Sequence, residues 1–322
     1  MKKLIYPILF LIVIGIGYVQ YTKNEMYQIN LFYMDTYINV KIYTNSDSKA
    51  EEILNNVDII YQDYHILSSK YDSYEEIKNI YYINNNLGTY EIDNKLYDLI
   101  EYGIDWYETS NGLLNINIGG VTDLWNEHLE QGTIPSLTEL ESIDTNISNI
   151  ELLGNNTITN YGVNLDLGAI AKGYASEIVK EYLEEELDYY LINAGGNVVA
   201  GEKEDSIFSI GITDPTENEE IFQIINANNV SVVTSGSYER FTNIDGTNYH
   251  HIINPNTLFP SDYMLSVTIV SSDSALADSL STILFNMSIE DGISFLEDYD
   301  AQAIFYDTQG NIYTTEGFSQ YE

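Results

Sequence analysis

Apolar and polar residues first alternate at positions 38–42, where Ile38, Val40 and Ile42 bracket Asn39 and Lys41. A period of two marks a strand with one buried face. The stretch before it, from residue 23, reads as a short tether. The period then changes. Ser48-x-x-Glu51 has the form of a capping box, and Ile53, Leu54, Val57, Ile60 and Tyr64 follow at helical spacing. A second stripe (Leu96, Leu99, Ile100, Ile104, Tyr107) begins near Asp93 and stops at Asn111-Gly112. A third helix is expected from about Ala169 to Glu186. Strand-like runs follow at 190–193, 208–212 and 265–270, and a last helix carries Leu276, Leu280, Ile283, Leu284 and Met287. Strands and helices intermingle without regular β-α-β alternation, which predicts an α+β fold. No repeat or low-complexity linker divides the chain, so residues 23–322 are expected to form one domain.

Residues 1–22 follow another pattern. Leu4 to Val19 is an apolar run broken only by Pro7, Gly15 and Gly17. As a helix it would span roughly 24 Å, slightly under the ~30 Å hydrocarbon core, with Tyr18 to Tyr21 as an interfacial belt. Lys2 and Lys3 ahead of it predict a cytoplasmic N-terminus and an exported remainder. A cleaved signal peptide competes, with Gly15-Ile16-Gly17 as a weak small-x-small site; a buried core helix is the plain alternative. The segment is expected to be a signal anchor or a signal peptide, placing the domain outside the cytoplasm on a membrane or secreted.

Charge narrows the function. Of 322 residues 50 are acidic and 12 basic, a formal net charge of -38, while 44% are hydrophobic. The apolar content is too high for a disordered acidic polymer. The charge argues against a nucleic-acid partner, which requires clustered cations. Arg240 is the only arginine, so a phosphate-bearing ligand needs positive charge from elsewhere, most simply a bound metal. With no cysteine, disulfides, thiolate metal sites and a lipid-anchoring cysteine are excluded.

Four stretches carry candidate chemistry. In residues 164–173 a strand end turns into a helix through Gly168, with Asp166 and Lys172 flanking amides that suit an anion; an ordinary capped connection fits equally. Asn193-Ala-Gly-Gly196, followed by Asn197, allows close backbone approach. Thr234 to Arg240 and His250-His251 gather the arginine and two of the four histidines. On the last helix, Asp278 and Thr282 lie one turn apart, opposite the apolar stripe, and offer hard oxygen ligands of the kind Mg²⁺ accepts. Taken alone, a solvated polar face explains that pair better.

In order and spacing these stretches resemble the ApbE family, the FAD:protein FMN transferases, from about Met34 to about Phe305. Further family-like segments are Met34-Asp-Thr36, Leu67-Ser-Ser-Lys-Tyr71, Thr109 to Asn115 with Leu124-Trp125, Gly211-Ile-Thr-Asp-Pro215, Thr234-Ser-Gly236 and His251-Ile-Ile-Asn-Pro255. The resemblance implies a T-fold-related catalytic domain. It places Met34, Tyr71, Leu113, Leu114, Asn115, Asp166, Lys172 and Ile252 where the family holds FAD. The family's Mg²⁺ ligands fall on the Ala169 carbonyl, Asp278 and Thr282, and its catalytic histidine on His251. Asn115 and Asn254 stand where members commonly carry Asp, and Leu258 where Gly is common. The implied activity is Mg²⁺-dependent transfer of FMN from FAD to a Ser or Thr hydroxyl of an exported or membrane-bound protein, releasing AMP. A Mg²⁺-dependent FAD pyrophosphatase using water, and a surface protein that only holds FAD, are the alternatives.

Overall fold

Residues 25–33 are not a tether but the edge strand of the main sheet. The computed structural model describes residues 24–203, 206–216 and 220–322, so the expectations for residues 1–22 lie outside it. Strand β1 (Glu25–Tyr33) pairs in full antiparallel register with β2 (Thr36–Thr44). Tyr27, Ile29, Leu31 and Tyr33 turn inward while Gln28, Asn30 and Phe32 face solvent. The alternation was present in the sequence, but an edge strand buries its inner face only partly. A two-residue loop joins the strands. Both of its residues, Met34 (φ 52°) and Asp35 (φ 56°), are left-handed, as a type I′ hairpin requires.

The expected helices form, with shifted ends. Helix α1 (Asp47–Ser68) is capped by Ser46, whose hydroxyl accepts from the Lys49 amide. Ser48 therefore falls within the first turn, and the Ser48–Glu51 capping box does not form; a true one closes at Ser136 and Glu139 instead. After α2 (Ile80–Asn85), α3 (Asn94–Thr109) starts from the Asp93 cap. The segment up to residue 160 adds α4 (Gly119–Glu130), α5 (Leu137–Glu141) and a small sheet of β3 (Gly88–Glu91), β5 (Thr157–Asn160) and β4 (Ile150–Gly154).

Helix α6 (Ala171–Glu186) begins two residues later than expected. The chain then returns to the main sheet as β6 (Tyr190–Ala194) and β7 (Asn197–Ala200), makes the hairpin of β8 (Phe208–Thr213) and β9 (Ile221–Ala227), and continues as β10 (Val230–Gly236). A small hairpin, β11 (Phe241–Ile244) and β12 (Thr247–His250), precedes β13 (Met264–Ser271), α7 (Ser274–Phe285), α8 (Ile289–Leu296), β14 (Ala301–Asp307) and β15 (Ile312–Thr314). The main sheet runs β1-β2-β6-β7-β10-β13-β14-β15, antiparallel throughout. One core packs α1, α3, α6 and α7 with the sheet. A second, smaller cluster packs Phe208, Ile210 and Ile225 of the β8–β9 hairpin with Val232 and Val270 of the sheet. The architecture is α+β in a single domain. Among the described residues no helix is long and apolar enough to cross a membrane.

The contact between α6 and α7 departs most from the pattern. Opposite its apolar stripe α7 was expected to show a polar face, yet Asp278 keeps only 5% of its surface and Ser274, Ser279 and Ser281 are fully buried. Helix α6 covers Asp278 and Ser274, while Ser279 bonds Tyr102 of α3 and Ser281 bonds Ser235 of β10. Gly173 makes the approach possible: a Cβ there would lie 2.2 Å from the Asp278 Cβ and 2.7 Å from the Ser274 carbonyl oxygen. Glu177 accepts from the Ser274 amide at 2.6 Å, and Lys180 bonds both Glu177 and the Ser272 carbonyl.

Gly173→Ala is therefore expected to destabilise the fold. In an open helix the change would gain about 1 kcal/mol of helix propensity, but overpacking here costs about 1–3 kcal/mol. Urea denaturation should give a lower midpoint than wild type, and a higher one would disprove the contact.

Candidate active site

Two turns and the last residues of a strand, at one end of the main sheet, build the first wall of a cavity of about 490 Å³. Antiparallel pairing of β2 with β6 puts the Met34-Asp35 loop beside the Gly195-Gly196 loop, and β10 brings Val233 to Ser235 alongside. Both glycines are left-handed (φ 61° and 90°), and a Cβ at Gly195 would strike the Thr36 hydroxyl at 1.9 Å. The close approach expected of the glycine pair is thus to a neighbouring turn as well as to the cavity. His65 of α1 anchors the rim: its Nδ1 accepts from the Met34 amide at 3.2 Å.

The second wall comes from the segment entering α6 and from α7. Asp166 is fully engaged by the protein. Its Oδ1 accepts from the Gly168 amide, and its Oδ2 receives the Thr122 hydroxyl and the Lys70 ammonium, each at 2.8 Å. Burial alone would raise the Asp166 pKa, but Lys70 and these hydrogen bonds more than offset it and hold it below the usual range. Lys70, which the sequence reading passed over, is almost buried and also bonds Asp123 at 2.7 Å. Its pKa is raised because its carboxylate partners outweigh the desolvation that would lower it. Lys172 is less committed, reaching only the Gly168 carbonyl at 3.3 Å.

Asp278 holds one carboxylate oxygen on the Gly173 amide at 2.7 Å. Burial raises its pKa, against the opposing pull of Lys172 and that amide. Because α6 starts at Ala171, Ala169 stays in the preceding turn. The amide of Gly173, four residues on, goes to Asp278, and no backbone amide among the described residues bonds the Ala169 carbonyl. The Thr282 hydroxyl, one turn beyond Asp278, likewise has no described hydrogen-bond partner. Among the described residues no cluster of three or more His, Cys, Asp or Glu could hold a metal. A carboxylate, a carbonyl and a hydroxyl lining one cavity nevertheless suit a hard cation such as Mg²⁺.

The remaining wall carries His251. Its Nδ1 lies 3.2 Å from the Arg240 carbonyl. Since a carbonyl only accepts, Nδ1 carries the proton and Nε2 keeps a free lone pair. Burial, reinforced by Arg240 and Lys172, pushes the His251 pKa down to about 3. His250 differs: it is buried, with Nε2 on the Ser261 carbonyl and Nδ1 accepting from Ile252. Ile252 is buried beside the cavity, Leu114 lies in the core with Leu113 more open, and Tyr71 is 60% exposed on the rim. All twelve residues proposed from the sequence (Met34, Tyr71, Leu113, Leu114, Asn115, Asp166, Ala169, Lys172, His251, Ile252, Asp278 and Thr282) line this one cavity. His65, Lys70, Asn197 and Glu239 join them, unassigned by the sequence.

The three departures are accommodated. Asn115 donates to the Thr145 carbonyl at 3.0 Å, which an Asp carboxylate cannot do. Asn254 accepts from the Asn256 amide at 2.9 Å, as a carboxylate would. Leu258 adopts φ 61°, the region glycine enters freely, and its carbonyl accepts from Trp125 Nε1. A second, polar groove of about 630 Å³ adjoins the cavity and shares Asn115 and Pro255 with it.

Two outcomes are expected. The Cε1–H shift of His251 should stay flat from about pH 8 to about pH 5, because a lowered pKa keeps the ring neutral until far more acid conditions; an NMR titration with an inflection near 6.5 would contradict this. Met34→Asn should raise stability by about 1 kcal/mol, since Asn tolerates the left-handed turn better. Thermal melts check this, and an unchanged or lower melting temperature would contradict it.

A model of the ApbE family matches residues 34–305. The chain is 29% identical over 294 residues to the FAD:protein FMN transferase of Klebsiella pneumoniae (strain 342), covering 87% of this chain and 89% of that one. It is 33% identical over 242 residues to the enzyme of the same name from Treponema pallidum (strain Nichols), covering 67% of each. The crystal structure of the ApbE protein from Thermotoga maritima superposes with a TM-score of 0.83 at 26% identity, over 92% of this chain and 99% of that one. With its fold, its cavity and this match over most of its length, the chain belongs to the ApbE family.

Proposed function

We propose that this protein is an FAD:protein FMN transferase, moving FMN from FAD onto a Ser or Thr hydroxyl of an acceptor protein. One observation carries the reading: a neutral histidine with a free Nε2, an uncommitted lysine and a buried carboxylate line the same cavity. The names of the relatives point the same way. In the reaction the acceptor oxygen forms a bond to the FMN-side phosphorus while the pyrophosphate bond to AMP breaks. His251 Nε2 takes the hydroxyl proton, and the Nδ1–H bond to Arg240 fixes the ring for that role. Lys172 balances negative charge on the phosphoryl oxygens.

Asp278, Thr282 and the Ala169 carbonyl would hold Mg²⁺. The ion would supply the Lewis acidity and positive charge that a chain of net charge -38 lacks. Met34, Leu113 and Tyr71 offer the flavin apolar and aromatic surface, and the Lys70 ammonium stands 5.3 Å from the Tyr71 ring centre. Asn115, Leu114, Asp166 and Ile252 complete the walls. The adjoining groove gives an acceptor polypeptide a route to the phosphorus. The apolar run Leu4–Val19 behind Lys2 and Lys3 supports a catalytic domain outside the cytoplasm, held on the membrane or released, with exported or membrane-bound acceptors.

The test is incubation with FAD, Mg²⁺ and a membrane protein fraction, followed by in-gel flavin fluorescence. A covalently fluorescent band is expected; FMN and AMP without one would indicate transfer to water, and unchanged FAD would indicate binding alone. Asp278→Asn, which keeps the shape, should cut the rate by about 10²-fold or more at limiting Mg²⁺. A rate within about twofold of wild type would remove Asp278 from the proposed metal site.

A further inference from the structure

Asn197 is 1% exposed and lines the cavity, and its Nδ2 has no hydrogen-bond partner among the described residues. Its Oδ1 accepts from the Ser274 hydroxyl at 3.0 Å, which leaves the Nδ2 end of the amide unengaged. The residue opens β7 and is paired on both flanks, with Ala194 of β6 and Val233 of β10, so its backbone cannot swing to find another acceptor. A buried amide donor left bare costs roughly 1–3 kcal/mol. A fold that retains such a group at a ligand cavity keeps it for an acceptor that arrives with the ligand.

The position indicates which acceptor. Ser274 lies one helical turn before Asp278, and a Cβ at the adjacent Gly196 would lie 3.4 Å from a Glu239 carboxylate oxygen. Lys172 acts electrostatically on Asp278, on Glu239 and on His251. Asn197 is thus tied, through Ser274, to the helix that carries Asp278 and Thr282, the proposed Mg²⁺ ligands, beside which the FAD reading puts the pyrophosphate. We infer that Asn197 is a further substrate-binding residue whose side-chain amide donates to a phosphoryl oxygen of FAD. The inference rests on the FAD reading above.

Two variants test it. Asn197→Asp keeps the shape and an acceptor for Ser274 but replaces the donor with an anion; Asn197→Ala removes the group. Dissociation constants for FAD and for riboflavin, a phosphate-free control, would be measured by flavin fluorescence with Mg²⁺ present, together with the flavin-free melting temperature. FAD affinity should fall about ten- to hundredfold, more for Asp than for Ala, as expected for a lost bond to a charged group. Riboflavin affinity should change by less than about twofold, and the melting temperature of the Asp variant by only a few degrees. Unchanged FAD affinity would overturn the proposal, because the donor would then be served by water. An equal loss for FAD and riboflavin would overturn it as well, placing the contact on the flavin. Wild-type protein that bound no FAD would instead defeat the functional reading itself.

Discussion

The Asp278 carboxylate is held between two helices by the amide of Gly173, and much of the molecule is arranged around that bond. For the amide to reach it, α6 must lie against α7 with no side chain between them, hence a glycine in the first turn of α6. First-turn amides have no partner within their own helix, and with that of Gly173 given to Asp278 the Ala169 carbonyl is left open to the cavity. The N-terminus of α7 is held by the same helix, through Glu177 and Lys180. A single packing contact thus sets both the helix pair and the oxygen ligands beside it.

Charge is distributed with similar economy. Lys70 is consumed inside the protein by Asp123 and Asp166, so it shapes the loop entering α6 and offsets part of the negative charge of that wall. Lys172 remains to face a ligand. His251 stays neutral because burial and two nearby cations oppose protonation. An anionic substrate is then met by Lys172 and Arg240, a neutral base and oxygen ligands suited to a metal.

The candidate site was more legible in the sequence than the fold around it. Its residues fall in short motifs whose glycines and turns have local causes, and all twelve meet in one cavity. What the pattern concealed depends on partners distant in sequence. The edge strand β1 was passed over because half-burial weakens its alternation. Asp278 looked like part of a solvated face because nothing local announces that α6, some hundred residues earlier, covers it. Lys70 and Asn197 stood in motifs already noticed, but only their burial distinguishes a structural ion pair from an idle donor.

The cavity rim of two adjacent tight hairpin loops has a further consequence. In a paired sheet a one-residue slip of register beginning at such a loop would turn every following side chain of the strand to the opposite face. The strands here are linked laterally, so a slip in β1–β2 would be transmitted to β6 and β7. An exchanged side chain at this end of the sheet leaves the register untouched, whereas a change of length must be absorbed within the loop itself. Strand pairing thus sets the frame presented to the substrate, and the side chains on that frame set its chemistry.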